Sequence, residues 1–115
     1  VGQKLVIAVR GDLRMSIGKT AAQVAHAAVI ATLEAAGSPR LAAWLEAGQP
    51  KVVVRVLSLE ALEAAMARAA DAGVATSLVA DAGRTELEAG TKTCCAFGPD
   101  TDAALEPVTG DLPLL

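Results

Sequence analysis

Two periodicities divide the chain. Lys4–Arg10 (KLVIAVR), Lys51–Val56 (KVVVRV), Thr76–Ala80 (TSLVA) and Thr91–Phe97 (TKTCCAF) are short runs rich in apolar and β-branched residues, and each reads as a strand. Between them lie longer, alanine-rich stretches with helical spacing. The first helix is expected from Gly18 to about Ala36, stopped by Gly37. A second has Pro39 in its first turn, carries Trp44 and ends at Gly48. Ser58 caps a third, which has Glu60 and Glu63 near its start, Leu59, Leu62 and Met66 on one face, and Gly73 as its stop. Gly11–Ile17 and Asp81–Gly90 read as loops. Gly98-Pro99 is expected to end the fourth strand, Asp100 or Thr101 to start a short last helix, and the apolar tail Leu112–Leu115 to pack back on the body.

The resulting order, β-α-α-β-α-β-β-α, points to an α/β fold with helices on both faces of one small sheet. No helix separates the last two strands, so they are expected to be antiparallel, making the sheet mixed. The pattern leaves the strand order open. At 115 residues the chain is expected to be one domain, 1–115.

Composition narrows the function. Hydrophobic residues make up 53%, enough for a core without disulfide staples. Aromatics make up 2%, which excludes a base-stacking platform built from several exposed rings. The net charge of −3 argues mildly against tight, non-specific nucleic-acid binding. That charge is uneven: residues 1–55 hold 7 of the 10 basic residues and only 3 of the 13 acidic ones, which leaves room for a local basic face. Adjacent Cys94 and Cys95 should point to opposite faces of a strand, and they read as buried, inert thiols of a reducing cytosol. With one histidine and no spaced cysteines, no zinc ligand set is expected. Leu5–Val9 is too short for a secretory leader, and Gln23 and His26 interrupt the run Ala21–Leu33, so neither leader nor membrane span is expected.

Three places carry candidate chemistry. Gly18-Lys19-Thr20 follows a strand and opens a helix, as a phosphate-binding loop does, and SLVAD at Ser77–Asp81 imitates its magnesium-holding strand. The spacing fails, because the first glycine of that motif would fall at Leu13. Lys19, Gln23 and His26, spaced i, i+4, i+7, fall within roughly 60° of one another on an otherwise apolar helix. Such a stripe is either a partly exposed face or an anion site beside the helix N-terminus. The Asp81–Gly90 loop is long for a strand connection. Its Asp81 and Gly83 suit an ordinary turn, with Arg84 pairing to Glu86 or Glu88, yet Asp81 also lies at a strand end, where α/β sheets often place active groups. Thr91 and Thr93 should share one strand face with Cys95 and Phe97. Arg10-Gly11-Asp12 reads as a strand end running into a loop. A set of Lys, Gln, His, Asp, Arg and Thr suits ester hydrolysis better than amide hydrolysis, since an ester demands less leaving-group protonation.

The strings GKTAAQVAHAA (Gly18–Ala28), DAGRTEL (Asp81–Leu87), GTKT (Gly90–Thr93), Gly98-Pro99 and TGDLPLL (Thr109–Leu115), with RGDLRM at Arg10–Met15, lie in one register over essentially the whole chain. In them the sequence resembles the type-2, archaeal and eukaryotic, peptidyl-tRNA hydrolases. The resemblance implies a three-layer α/β/α domain with a four-stranded mixed sheet, usually a homodimer in the cytoplasm. It implies hydrolysis of the ester between a peptide and the 3′ ribose of tRNA, with no metal or organic cofactor. Carried over residue by residue, Lys19, Asp81 and Thr85 match proposed catalytic positions. Gln23, His26, Arg84, Thr91 and Thr93 match positions in or beside that centre and are expected to bind substrate. Glu86 stands where the family commonly has Gln, adding a negative charge beside the site. In this reading Lys19 and the first-turn amides stabilise an oxyanion or a phosphate, and Asp81 orients or deprotonates the water. Thr85, supported by Arg84, relays a hydrogen bond or positions the substrate, while Gln23 and His26 hold the stripe in place. The alternative is a non-catalytic module of the same fold that docks tRNA, nucleotide or protein.

Overall fold

The structure, a computed structural model, describes residues 2–115. Its elements are β1 (Gln3–Arg10), α1 (Ile17–Glu34), α2 (Pro39–Glu46), β2 (Lys51–Val56), α3 (Leu59–Ala72), β3 (Thr76–Ala80), β4 (Lys92–Thr101) and α4 (Asp102–Thr109). The sheet order is β2-β1-β4-β3. β1 pairs parallel with β2 and antiparallel with β4, which pairs antiparallel with β3, so the sheet is mixed.

β1 is buried on both sides because helices cover both faces, which is why its sequence is a continuous apolar run. Its Leu5, Ile7 and Val9 pack with Cys94, Ala96, Ala27, Ala31 and Trp44 beneath α1 and α2. The alternate residues Val6 and Ala8 pack with Cys95, Phe97, Leu62, Leu105 and Val108 beneath α3 and α4. The two cysteines thus face opposite layers, and burial pushes their thiols up to about 11 and about 12, which leaves them unreactive.

Local chemistry sets the helix ends. Ser16, Ser38, Ser58 and Thr101 are the N-caps, each accepting a backbone N–H of the first turn. α1 buries Gln23, Ala27 and Ala31, a line of small or slender residues that lets it lie close on the sheet. The Trp44 indole N–H donates to Pro50 O at 2.9 Å and closes the corner from α2 into β2.

β4 starts at Lys92, which leaves Thr91 in the loop and off the strand face expected for it, and it differs from expectation at two further points. It does not stop at Gly98-Pro99 but runs on to Thr101 through a cis Gly98-Pro99 bond. The pairing with β1 slips by one residue there, Val6 facing Phe97 while Lys4 faces Asp100. The dipeptide is therefore a β-bulge, where a proline removes no needed ladder bond. Gly98 has φ +103, and a Cβ there would lie 2.9 Å from Asp100 N. The second slip, between Val79 and Ala80, makes Thr93 the extra residue of another bulge. Strict alternation would put Thr93 with Cys95, but the bulge turns it to the α1 side, against Gln23.

The tail packs back mainly through its backbone. Arg55 N donates to Pro113 O at 2.8 Å and Leu115 N to Val53 O at 3.1 Å, so Pro113–Leu115 lie along the outer edge of β2. No helix among the described residues is long and apolar enough to cross a membrane.

Candidate active site

The first turns of α1 face the C-terminal end of β3 across a cleft of about 920 Å³. Lys19, Gln23, His26, Asp81, Arg84 and Thr85 line it, together with Ser16, Ile30, Leu78 and Glu86. Helix geometry supplies one wall, since residues three and four apart stack on one face. β3 supplies the other, delivering Asp81 at its end.

Asp81 is fixed by its own backbone. Its N–H donates to Thr91 O and its carbonyl accepts from Gly90 N, both at 2.7 Å, pinching the neck of the loop. Its side chain does two things. Oδ2 accepts from Gly83 N at 2.8 Å, which is the expected turn, and Oδ1 accepts from the Lys19 ammonium. Gly83, at φ +77, permits this fold-back, and a Cβ there would meet Ala89 N at 2.6 Å.

The pair is shielded: the Lys19 side chain is 12% exposed and that of Asp81 4%. The bond from Lys19, then the Gly83 amide, hold the Asp81 carboxyl below its ordinary value of 3.8, against the opposing effect of burial. Asp12 is lowered in the same direction by Arg10, whose guanidinium grips both carboxylate oxygens at 3.1 and 2.7 Å and donates to Lys92 O. Both aspartates therefore add stability above the unfolded value of 3.8 that is lost as pH falls through their lower folded values. Between about pH 5 and about pH 2, the denaturation midpoint of the wild type is expected to drop more steeply than that of Asp81→Asn. Parallel curves would contradict this coupling.

The remaining residues divide by position. Gln23 is buried, and its amide donates to Thr93 Oγ1 at 2.8 Å. Thr93 is itself fully buried behind Gln23, so it positions that side chain and does not reach the cleft. Thr91 lies off the cleft as well, donating to Glu88 O at 2.8 Å and closing the loop. His26 is exposed on the cleft wall and, among the described residues, makes no side-chain hydrogen bond, so nothing ties it to the stripe it extends. Arg84 and Thr85 are exposed at the mouth. Among the described residues Arg84 forms no ion pair with Glu86 or Glu88, contrary to the expected pairing, and it lines the cleft.

One interaction was not expected from sequence. The Glu86 carboxylate accepts from Ser16 N at 2.9 Å and Ser16 Oγ at 2.8 Å. Ser16 Oγ in turn accepts from Lys19 N at 3.0 Å. The 81–90 loop is thereby anchored to the start of α1, and a carboxylate already sits where the helix N-terminus favours an anion. The positive charge lining the cleft is therefore that of the Lys19 and Arg84 side chains more than of first-turn amides. The available signal was Ser16 itself, a strong N-cap type directly before the helix.

A family model for peptidyl-tRNA hydrolase PTH2 matches residues 3–115. The peptidyl-tRNA hydrolase of Metallosphaera sedula is 47% identical over 116 residues, spanning 97% of this chain and 99% of that protein. That of Sulfurisphaera tokodaii is 46% identical over 118 residues, spanning 97% and 98%. Neither supports a non-catalytic module. Among solved structures, a protein of unknown function from Agrobacterium tumefaciens aligns with a TM-score of 0.63 at 15% identity over 98% of this chain and 97% of that one, a likeness of fold alone. With the family model spanning nearly every residue and relatives this similar over their full lengths, the chain belongs to the peptidyl-tRNA hydrolase PTH2 family.

Proposed function

We propose that this chain hydrolyses the ester between a peptide, or an N-blocked amino acid, and the 3′ ribose of tRNA, releasing both. Family membership supports the reaction. The observation that carries the site is the shielded Lys19–Asp81 pair opening into one cleft at a strand end.

In this reading the Lys19 ammonium faces the ester carbonyl and stabilises the charge that develops on its oxygen as water adds. Asp81, held ionised by Lys19, is a weak base. Its part is to fix the ammonium and to orient the attacking water by accepting a hydrogen bond through a lone pair left free by Lys19 and Gly83, while the proton that the water gives up as it adds passes to the departing 3′ oxygen of the ribose. Thr85 and Arg84, at the mouth, hold the ribose and its phosphate. Gln23, braced by Thr93, and His26 line the path of the peptide. Thr91 acts through the loop neck. The chain works as a single domain, in the cytoplasm, without a metal or organic cofactor. It pairs as a homodimer, for which the exposed Ile17 and Leu115 beside a second cleft with Leu13, Met15 and Val24 offer apolar surface.

An N-acetyl-aminoacyl-tRNA is expected to be cleaved and the same tRNA with a free α-amino group spared, because that ammonium would enter beside Lys19. Cleavage of neither, or of both alike, would overturn the assignment. Glu86→Gln keeps an acceptor for Ser16 while removing one negative charge. It is expected to lower KM for tRNA substrates about twofold to fivefold at low salt, the worth of one exposed charge, with the gain fading at high salt. A KM unchanged at all salt concentrations would mean that this carboxylate does not oppose tRNA approach.

A further inference from the structure

The two edges of the sheet are treated differently. The edge of β2 is covered by Pro113–Leu115. Among the described residues β3, at the other edge, pairs only with β4. Ala75 O accepts from Gly98 N, Val79 O accepts from Thr93 Oγ1 and Asp81 N donates to Thr91 O, so odd-numbered positions turn their backbone groups toward β4. The bulge here adds its residue on β4, so the alternation along β3 is unbroken and the N–H and C=O groups of Thr76, Leu78 and Ala80 point outward. Among the described residues, no hydrogen bond reaches the outward groups of Leu78 or Ala80 from that side. Thr-Ser-Leu-Val-Ala also lacks the charges and prolines with which edge strands usually block pairing.

This bare edge borders the cleft. Leu78, Val79, Ala80 and Asp81 line it opposite Lys19, His26 and Ile30. The rise along α1 from Lys19 to Ile30 is about 16 Å, the length of about five extended residues.

We propose that the outer edge of β3 binds the peptide part of the substrate as an added strand, reading its backbone and leaving its side chains unread. The inference rests on the hydrolase reading above and deepens it. The ester must lie at the Lys19–Asp81 end, which is the C-terminal end of β3, so the peptide runs parallel to β3 with its N-terminal residues toward Thr76. Backbone pairing suits an enzyme that meets every peptide sequence, because each residue offers the same amide. An unblocked aminoacyl ester offers no amide to this edge, which adds to its rejection.

The test uses N-acetyl-tetrapeptidyl-tRNA substrates N-methylated at one amide or its neighbour. In a parallel pairing every second amide faces β3. One alternate set is expected to raise KM about fivefold per lost hydrogen bond with kcat unchanged, and the other set to be silent. Equal effects from both sets, or none from either, would overturn the proposal. A second readout needs no turnover: a non-hydrolysable 3′-amide-linked peptidyl-adenosine should slow hydrogen exchange at the Leu78 and Ala80 amides. Unchanged exchange overturns the proposal, as does protection already present in the free protein that grows with its concentration, since a second copy would then occupy the edge. Failure to cleave even the unmethylated substrate counts against the hydrolase reading, while the exchange experiment still decides the fate of the edge.

Discussion

Lys19→Ala and Asp81→Asn are each expected to lower kcat by roughly 10²–10³-fold, the range for losing one preorganised group that stabilises transition-state charge. Both variants should stay folded. Alanine is a better helix former than lysine, and Asp81 keeps the Gly83 amide when Lys19 is gone. Asparagine fills the space of aspartate but cannot neutralise the ammonium, so Lys19 is free to leave its position. Because the two residues act as a unit, the double variant should be about as slow as either single one. Additive losses would show that each contributes independently, and wild-type turnover in either single variant would remove that residue from the mechanism.

Phe97→Ala is expected to do the opposite. Phe97 is fully buried among Val6, Leu62, Leu105 and Val108, beneath α3 and α4. Truncation leaves a cavity and should cost about 3–5 kcal/mol in a urea titration. For a domain whose whole stability is of the order of 5–15 kcal/mol, that is a large share. Yet the cleft hangs on the other face of the sheet, where α1 packs with Cys94 and Ala96. At a temperature where the variant is still folded, its kcat should match the wild type. A matched loss of kcat would mean that the two layers are coupled through the sheet.

The residues that were legible in the sequence are those governed by short-range rules. Ser58 and Gly73 bracket α3 because a serine oxygen satisfies a first-turn amide and a glycine accepts the left-handed turn at φ 70. The Lys19-Gln23-His26 stripe followed from helix geometry alone. α1 starts one residue earlier than the helical pattern predicts, and that pattern carries neither the capping role of Ser16 nor its bond to Glu86. The misplaced strand features share one cause. Period-two alternation assumes an unbroken ladder, and both bulges in β4 break it, one reversing Thr93 and the other carrying the strand through Gly98-Pro99. No local pattern records that β4 inserts between β1 and β3, yet that order sets β3 at the edge beside the cleft. The meeting of Lys19 with Asp81 depends on it, and in the sequence only their places at strand ends and the family resemblance, which sets both in one catalytic centre, point to it.

The most direct measurement is a crystal structure with a non-hydrolysable 3′-amide-linked N-acetyl-aminoacyl adenosine. Its carbonyl oxygen is expected at hydrogen-bond distance from Lys19 Nζ, with an ordered water on Asp81 about 3–3.5 Å from the carbonyl carbon. A ligand seated elsewhere on the molecule, or a carbonyl walled off from both side chains, would contradict the account.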